Sequence, residues 1–352
     1  MKKQGIEWQV NWIFVLIAGA VILAFFFGIV QKQRSLSEQK LSITLASQMD
    51  AIYAGAIESR GTAQPLSTPQ PGIAFSCSSV CECNFIIGRK TTEFRDKLLF
   101  APPIIKDGDA WVWASEWKMP FRTANFLMLS SPAVTYYIIY DAGSPLSEQL
   151  YRRLSKNLPK EIPMRAFSSI GAVGQVSLPG TEYTRIIFAG IEPASHSTLG
   201  LSTVFSEEKV SGVYLDPDLR RAVFYEKEPD ELRFNSVPAI LAGEASVYAA
   251  MFASDKTMYD CIMKRAFSHL ERSARISVER SKILQEETTA LGELQCAYVL
   301  QDLESLAQSA KTLSVGGTFS EQETARDTLL RAQSEIQRQN DLLARQSCPV
   351  IY

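Results

Sequence analysis

The sequence predicts an α+β protein with an N-terminal transmembrane and stalk helix, a mixed β-rich head containing one βαβ unit, and a C-terminal helical bundle. Three observations carry that prediction. An uncharged apolar run of 19 residues, opening on Trp12 and closing on Val30, stands near the start of the chain. Nine short segments rich in β-branched and aromatic residues crowd the middle. From about residue 237 the composition turns to Ala, Gln, Glu and Leu. The chain therefore divides into a membrane and stalk helix (1–60), a Pro-rich neck (61–75), a β-rich α/β head (76–236) and a helical region on or next to it (237–352).

A helix rising ~1.5 Å per residue carries the apolar run across roughly 28 Å, close to the hydrocarbon thickness of a bilayer. No small-x-small cleavage site follows: Phe25, Phe26 and Phe27 lead through Gly28, Ile29 and Val30 to Gln31 and Lys32, which favours a permanent anchor over a secretion signal. Trp8 and Trp12 on one side, and Lys32 and Arg34 on the other, suit the two interfaces. Lys2 and Lys3 oppose Lys32, Arg34 and Lys40, so the positive-inside rule assigns no orientation. Beyond the membrane, Leu41, Leu45, Met49, Ile52, Tyr53 and Ala56 recur at spacings of three and four and extend the helix to about Ile57. "GTAQPLSTPQPG", residues 61–72, then has three prolines and two glycines and ends it.

Six cysteines, Cys77, Cys81, Cys83, Cys261, Cys296 and Cys348, all follow the anchor. An even set in that position fits disulfides in an oxidising compartment and puts the bulk of the chain outside the cytoplasm. The C-x3-C-x-C cluster also has metal-ligand spacing, but a closed zinc site needs a fourth ligand and the chain has only two histidines, His196 and His269. Lys and Arg nearly balance Asp and Glu, for a formal net charge of -2 with no basic block, which excludes a nucleic-acid binder.

Strands are expected at "NFIIG", "KLLFAPPII", "AWVWASEW", "NFLMLSS", "TYYIIYD", "MRAFSSI", "TRIIFAGI", "VSGVYLD" and "RAVFYEK". One helix interrupts them. "SPLSEQLYRRLSKNLP" has Ser144 as N-cap, Pro145 at the first helical position, leucines at 146, 150 and 154, and a stop at Pro159. Between "TYYIIYD" and "MRAFSSI" it completes a βαβ unit. Asp141 then sits just past a strand end, where open α/β sheets bind ligands, although Asp is also a common turn residue there. "IGAVGQ" (170–175) lacks the full G-x-G-x-x-G spacing and reads as loop. His196 reads as loop, His269 as a solvent-facing helical residue, and "LDPDLRR" as a hairpin turn.

In the C-terminal third, Pro238 is expected to open a helix that breaks near Ser254 and Asp255 and runs to about Glu287. A second helix should cover about Leu291 to Thr312, and a third Ser320 to Gln346, started by Ser320, Glu321 and Glu323 and separated from the second by Gly316 and Gly317. Apolar stripes including Ile283, Leu284, Leu291, Leu303, Leu306, Leu313, Leu329, Leu330, Ile336 and Leu343 lack strict heptads, which favours a bundle core over the alternative of a partner-binding coiled coil. If the last two helices are antiparallel, Cys348 comes near Cys296. Cys261 is then left for one of the three early cysteines, whose remaining two bond to each other, with Cys77 as one of them.

The leader "KKQG" with Ile6 and Glu7, followed by a membrane helix, an amphipathic extension and a head, resembles type IV pilins. That resemblance implies peptidase cleavage after Gly5 and a Glu7 that neutralises a neighbouring subunit's amino terminus. The chain departs from the pattern in placing Glu7 second after such a cut, where the family has its Glu fifth, and in delaying the apolar run with Gln9 and Asn11. "KMPFRTANFLMLSSPAVTYYIIYD" and "NDLLARQSCPVIY" resemble segments of N-terminally anchored archaeal surface proteins, which implies placement at a cell surface with no reaction attached. The functional expectation is a single-pass, disulfide-stabilised structural or interaction protein. Its partners are the lipid bilayer and other envelope proteins, and it has no cofactor, no metal and no catalytic residues. The alternatives are a pilin-like subunit of a filament or secretion system, and a ligand-binding or enzymatic head with its site at Asp141.

Overall fold

A computed structural model describes residues 4–55, 63–68, 72–88, 90–95, 97–106, 108–162, 164–169, 183–193, 210–226, 238–293 and 295–352. Helix α1, Gln4–Gly55, is continuous from the apolar run into the stalk, as the absence of Pro before residue 65 allows. Within the stretch expected as a neck, β1 (Ala63–Thr68) and the start of β2 (Ile73–Cys77) already belong to sheets. Pro65 is tolerated because β1 is an edge strand, paired only with β7 (Gly108–Lys118), so its missing N–H is not needed.

Strand β7 forms a long hairpin with β8 (Arg122–Ser130), and the two-residue β5 (Leu99–Phe100) lies parallel to β8 on its far side, giving the order β1-β7-β8-β5. A second sheet is ordered β4-β3-β2-β6, with β3 at Cys83–Ile87, β4 at Lys90–Glu93 and β6 at Ile104–Ile105. The run "KLLFAPPII" thus supplies two strands to two sheets. Pro102 and Pro103 between them have no N–H for a ladder, and the chain changes sheet at that point.

The third sheet contains the expected βαβ unit. β9 (Val134–Tyr140), helix α2 (Pro145–Asn157) and β10 (Met164–Phe167) run strand, crossover, parallel strand. β11 (Tyr183–Ala189) and β12 (Val210–Leu215) extend the parallel part, and β13 (Arg221–Glu226) and β14 (Pro238–Ile240) close it antiparallel, in the order β10-β9-β11-β12-β13-β14. The "LDPDLRR" stretch is the β12–β13 turn, closed by the Leu219 N–H donating to the Asp216 carbonyl at 2.8 Å. Parallel strands are normally covered on both faces, and here Ile138, Ile187 and Val213 face the main core while Ile139, Phe188 and Tyr214 form a second buried cluster.

The C-terminal helices begin later than the sequence predicts. Pro238 opens β14 rather than a helix: as the last strand of its sheet β14 tolerates a missing donor, and the helical start passes to α3 (Glu244–Phe252) after Gly243 at φ +79. The break falls where expected, with the Asp255 carboxylate capping the N–H of Met258 at the start of α4 (Lys256–Ala290). Residues 291–293 and 295–299 are not helical and α5 covers Leu300–Val315, because Gly292 at φ +78 turns the chain and Cys296 is tied down there. α6 spans Phe319–Arg345, and its cap is Thr318, not Ser320, in a reciprocal capping box with Glu321. Ile283 and Leu291, assigned to the bundle core by periodicity, are exposed, whereas Leu303, Leu306, Leu313, Leu329, Ile336 and Leu343 are buried. α4 packs on β2, β5, β8 and β14 and on α3 and α5, and the main core runs from Leu66 to Ile351.

Candidate functional site

Among the described residues, the apolar part of α1 has no packing partner. From Val15 to Val30 its large side chains, among them Leu16, Leu23, Phe25, Phe26 and Phe27, are 44–71% exposed around the whole helix, and the segment Val15–Lys40 is long and apolar enough to cross a membrane. Trp12 lies on α1, but its side chain is outside the described residues; Val30 is exposed. Leaving so continuous an apolar surface in water forfeits the stabilisation that burying each such side chain brings, ~1.5–3 kcal/mol apiece. Two turns after Val30 the helix meets the head, where Glu38, only 8% exposed, lies against Gly88 in the β3–β4 turn and is ion-paired with Arg34 at 3.4 Å. A Cβ on Gly88 would stand 2.6 Å from the Glu38 carboxyl carbon, so glycine permits this seat.

All six cysteines are bonded, as Cys77–Cys83, Cys81–Cys261 and Cys296–Cys348. No thiol is left to ligate a metal, and among the described residues no group of three His, Cys, Asp or Glu side chains is placed to hold one. The Cys81–Cys261 bond ties the β2–β3 turn to α4. One turn further along that helix, Arg265 donates to the carbonyls of Cys81 and Phe94, both at 2.8 Å, so covalent and polar ties coincide. The Cys296–Cys348 bond holds the last residues against the link between α4 and α5. Tyr298 donates to the Pro349 carbonyl at 2.7 Å, the Asn340 side-chain oxygen accepts the Ile351 N–H at 2.7 Å, and Tyr352 meets the Phe121 ring edge-on at 5.8 Å. The "NDLLARQSCPVIY" ending thus serves as a clasp.

Asp141 lies at the carboxyl end of β9, where the order β10-β9-β11 creates a topological switch point. Among the described residues, side chains close the gap between the ends of β9 and β11. Ser147, in the first turn of α2, accepts the Asp141 N–H at 2.8 Å and donates to the Ala189 carbonyl at 2.5 Å, bridging the ends of β9 and β11. Gly190 beyond β11 is packed so tightly that a Cβ would meet Pro217 at 3.1 Å and Ser147 at 3.2 Å. Asp141 itself is exposed, and its carboxylate accepts the Gly143 N–H at 2.8 Å, closing the turn into α2. Ser144 occupies the N-cap position without a capping hydrogen bond from its side chain. His269 is half-buried on α4 with an interaction partner, where the sequence suggested a solvent-facing residue; His196 and residues 170–175 lie outside the described residues.

Sequence reasoning missed a buried polar knot at the other end of the same strands. Arg185 on β11 is 1% exposed and has no carboxylate in ion-pair contact among the described residues. Its guanidinium donates to the Ala250 carbonyl at 2.9 Å and to Ser211 at 2.5 Å, approaches the Ser254 carbonyl at 3.4 Å, and lies 5.3 Å from the centre of the Phe224 ring. It therefore caps the C-terminal, electronegative end of α3. Burial lowers its pKa, opposed by Tyr183, Tyr136 and Asp255, and burial raises that of Tyr183. The signal was a charge at the inward-facing position of an otherwise apolar strand, "YTRIIFA".

Two surface hollows lie among the helices. One of about 540 Å³ between α4 and α5 is bordered by Arg275, Glu279, Lys282 and Glu304. The other, about 230 Å³ beside β14, is bordered by Tyr259, Lys264, Phe319 and the Lys256–Asp260 ion pair. Burial raises the Asp260 carboxyl above the usual range, against the opposing pull of Lys256 and Lys264. No protein-family model, curated protein or solved structure matches this chain.

Proposed function

We propose that this protein is a single-pass, membrane-anchored extracytoplasmic protein whose disulfide-stapled head works through contacts with other envelope proteins, without a cofactor and without catalysis. The carrying observation is a helix apolar and exposed all round that continues unbroken into a head in which every cysteine is bonded. Retention of the helix, as opposed to removal of a signal, is supported by its continuity past Val30 to the Glu38 contact with the head. The filling of the switch point by Ser147, and the use of Asp141 to close a turn, support a non-enzymatic reading.

The test is protease shaving of intact cells combined with thiol mapping. The expected result is digestion of the head from outside and labelling of all six thiols only after reduction. A head protected in intact cells, or six free thiols in protein alkylated at once on lysis, overturns the proposal. N-terminal sequencing adds a third readout, in which a mature terminus at Ile6 would replace the anchored protein with a processed, pilin-like subunit.

A further inference from the structure

We infer that the β3–β4 turn end of the β4-β3-β2-β6 sheet rests on the headgroup layer and binds anionic lipid, an inference that depends on α1 being a retained membrane anchor. The exposed apolar run of α1 ends at Val30, and the turn is fixed to the helix at Glu38. Eight residues at ~1.5 Å put that contact ~12 Å above the hydrocarbon edge. The headgroup layer occupies ~5–8 Å of that height, so the turn sits within one Debye length, ~8 Å, of the charged surface.

The charge at this level is one-sided. From residue 31 to 49 the only acid is Glu38, which is buried and paired with Arg34. On the hairpin, Glu93 is paired with Arg95 at 2.7 Å. Lys32, Lys40 and Lys90 are exposed and stand outside any ion pair among the described residues. Cations held at this height by a helix in the bilayer match an anionic lipid surface in both charge and position.

The test uses the full chain reconstituted into vesicles of phosphatidylcholine alone or mixed with phosphatidylglycerol, with hydrogen exchange measured over residues 84–93. One lysine at an anionic surface corresponds to about a fivefold effect. Exchange in the turn is therefore expected to slow about fivefold in the mixed vesicles, and the slowing to disappear in Lys90→Gln or in 1 M salt. Lys90→Gln should exchange like wild type in phosphatidylcholine, which shows that the hairpin is intact. Equal wild-type exchange in both lipids, with the chain still resistant to alkaline carbonate extraction, overturns the lipid contact and leaves the anchor standing. Slowing that persists in Lys90→Gln and at high salt overturns it as well, since charge is then not what is read. Release by carbonate removes the anchor, and the contact with it.

Discussion

The three disulfides close loops of very different length, and their removal should cost stability in that order. Cys81–Cys261 spans 180 residues, Cys296–Cys348 spans 52 and Cys77–Cys83 spans 6. If each bond acts by restricting the unfolded chain, the loop-closure relation gives ~5, ~4 and ~2 kcal/mol respectively at 25 °C. The folded state should lose little besides. Arg265 still holds the Cys81 and Phe94 carbonyls when the longest bond is gone, and Tyr298 and Asn340 still hold the C-terminal clasp. The assay is guanidinium unfolding of the full chain in micelles, comparing paired Cys→Ala variants and reading the fluorescence of the buried Trp113 and Trp117. The Cys81/Cys261 pair should lose most and show the largest rise in m, because its unfolded state expands most. Equal losses for all three pairs, or a larger loss for Cys77/Cys83 than for Cys81/Cys261, would refute the reasoning.

Three other perturbations test the packing. Arg185→Met leaves the Ala250 and Ser254 carbonyls facing an apolar side chain, and should cost about 2–4 kcal/mol in chemical denaturation; a neutral or stabilising result rejects the capping role. Gly72→Ala places a Cβ 2.7 Å from the Ile105 carbonyl oxygen at φ +96, and should lower stability by about 2 kcal/mol or more, with unchanged Tm as the contrary result. Two carboxyls should respond to pH with opposite signs. Asp260 has a raised pKa, so the native state holds its proton more tightly, and wild-type stability relative to Asp260→Asn should fall as pH rises through and above the usual carboxylate range. Glu321 is held below that range by the Thr318 N–H, so its contribution relative to Glu321→Gln should be full above that range and vanish as pH falls through its folded value; identical slopes for the two variants defeat the assignment.

Much of the fold was legible because it rests on local rules. The α1 continuity, the βαβ unit and the break at Ser254 and Asp255 follow from apolar run length, Pro placement and an Asp cap. The misreadings share one cause. Pro238 and Pro65 look like helix starter and chain breaker in sequence, but their meaning is set by whether a neighbouring strand needs their N–H, which depends on sheet order. Likewise Ile283 and Leu291 satisfy helical periodicity, yet only a packed partner decides which stripe is core. The Arg185 knot was hidden for the same reason, since its acceptors on α3 lie some 65 residues away in sequence. Asp141 was visible, but its use was decided by Ser147, whose hydroxyl reaches across to a strand 42 residues further on.

These long-range ties also explain how α1 and the head can differ so much in their bonding. Among the described residues, none before Leu66 belongs to the apolar core. The head instead closes on itself. Cys81–Cys261 joins sheet to helix, Arg326 on α6 reaches the Arg220 carbonyl in the β12–β13 hairpin at 2.9 Å, and Tyr352 returns the chain end to the Phe121 ring. A body closed in this way does not draw on α1 for its described apolar core. The described contact between helix and head rests on the Glu38 carboxylate and Gly88, and the lipid contact inferred above would be carried by the exposed Lys90 and not by the core.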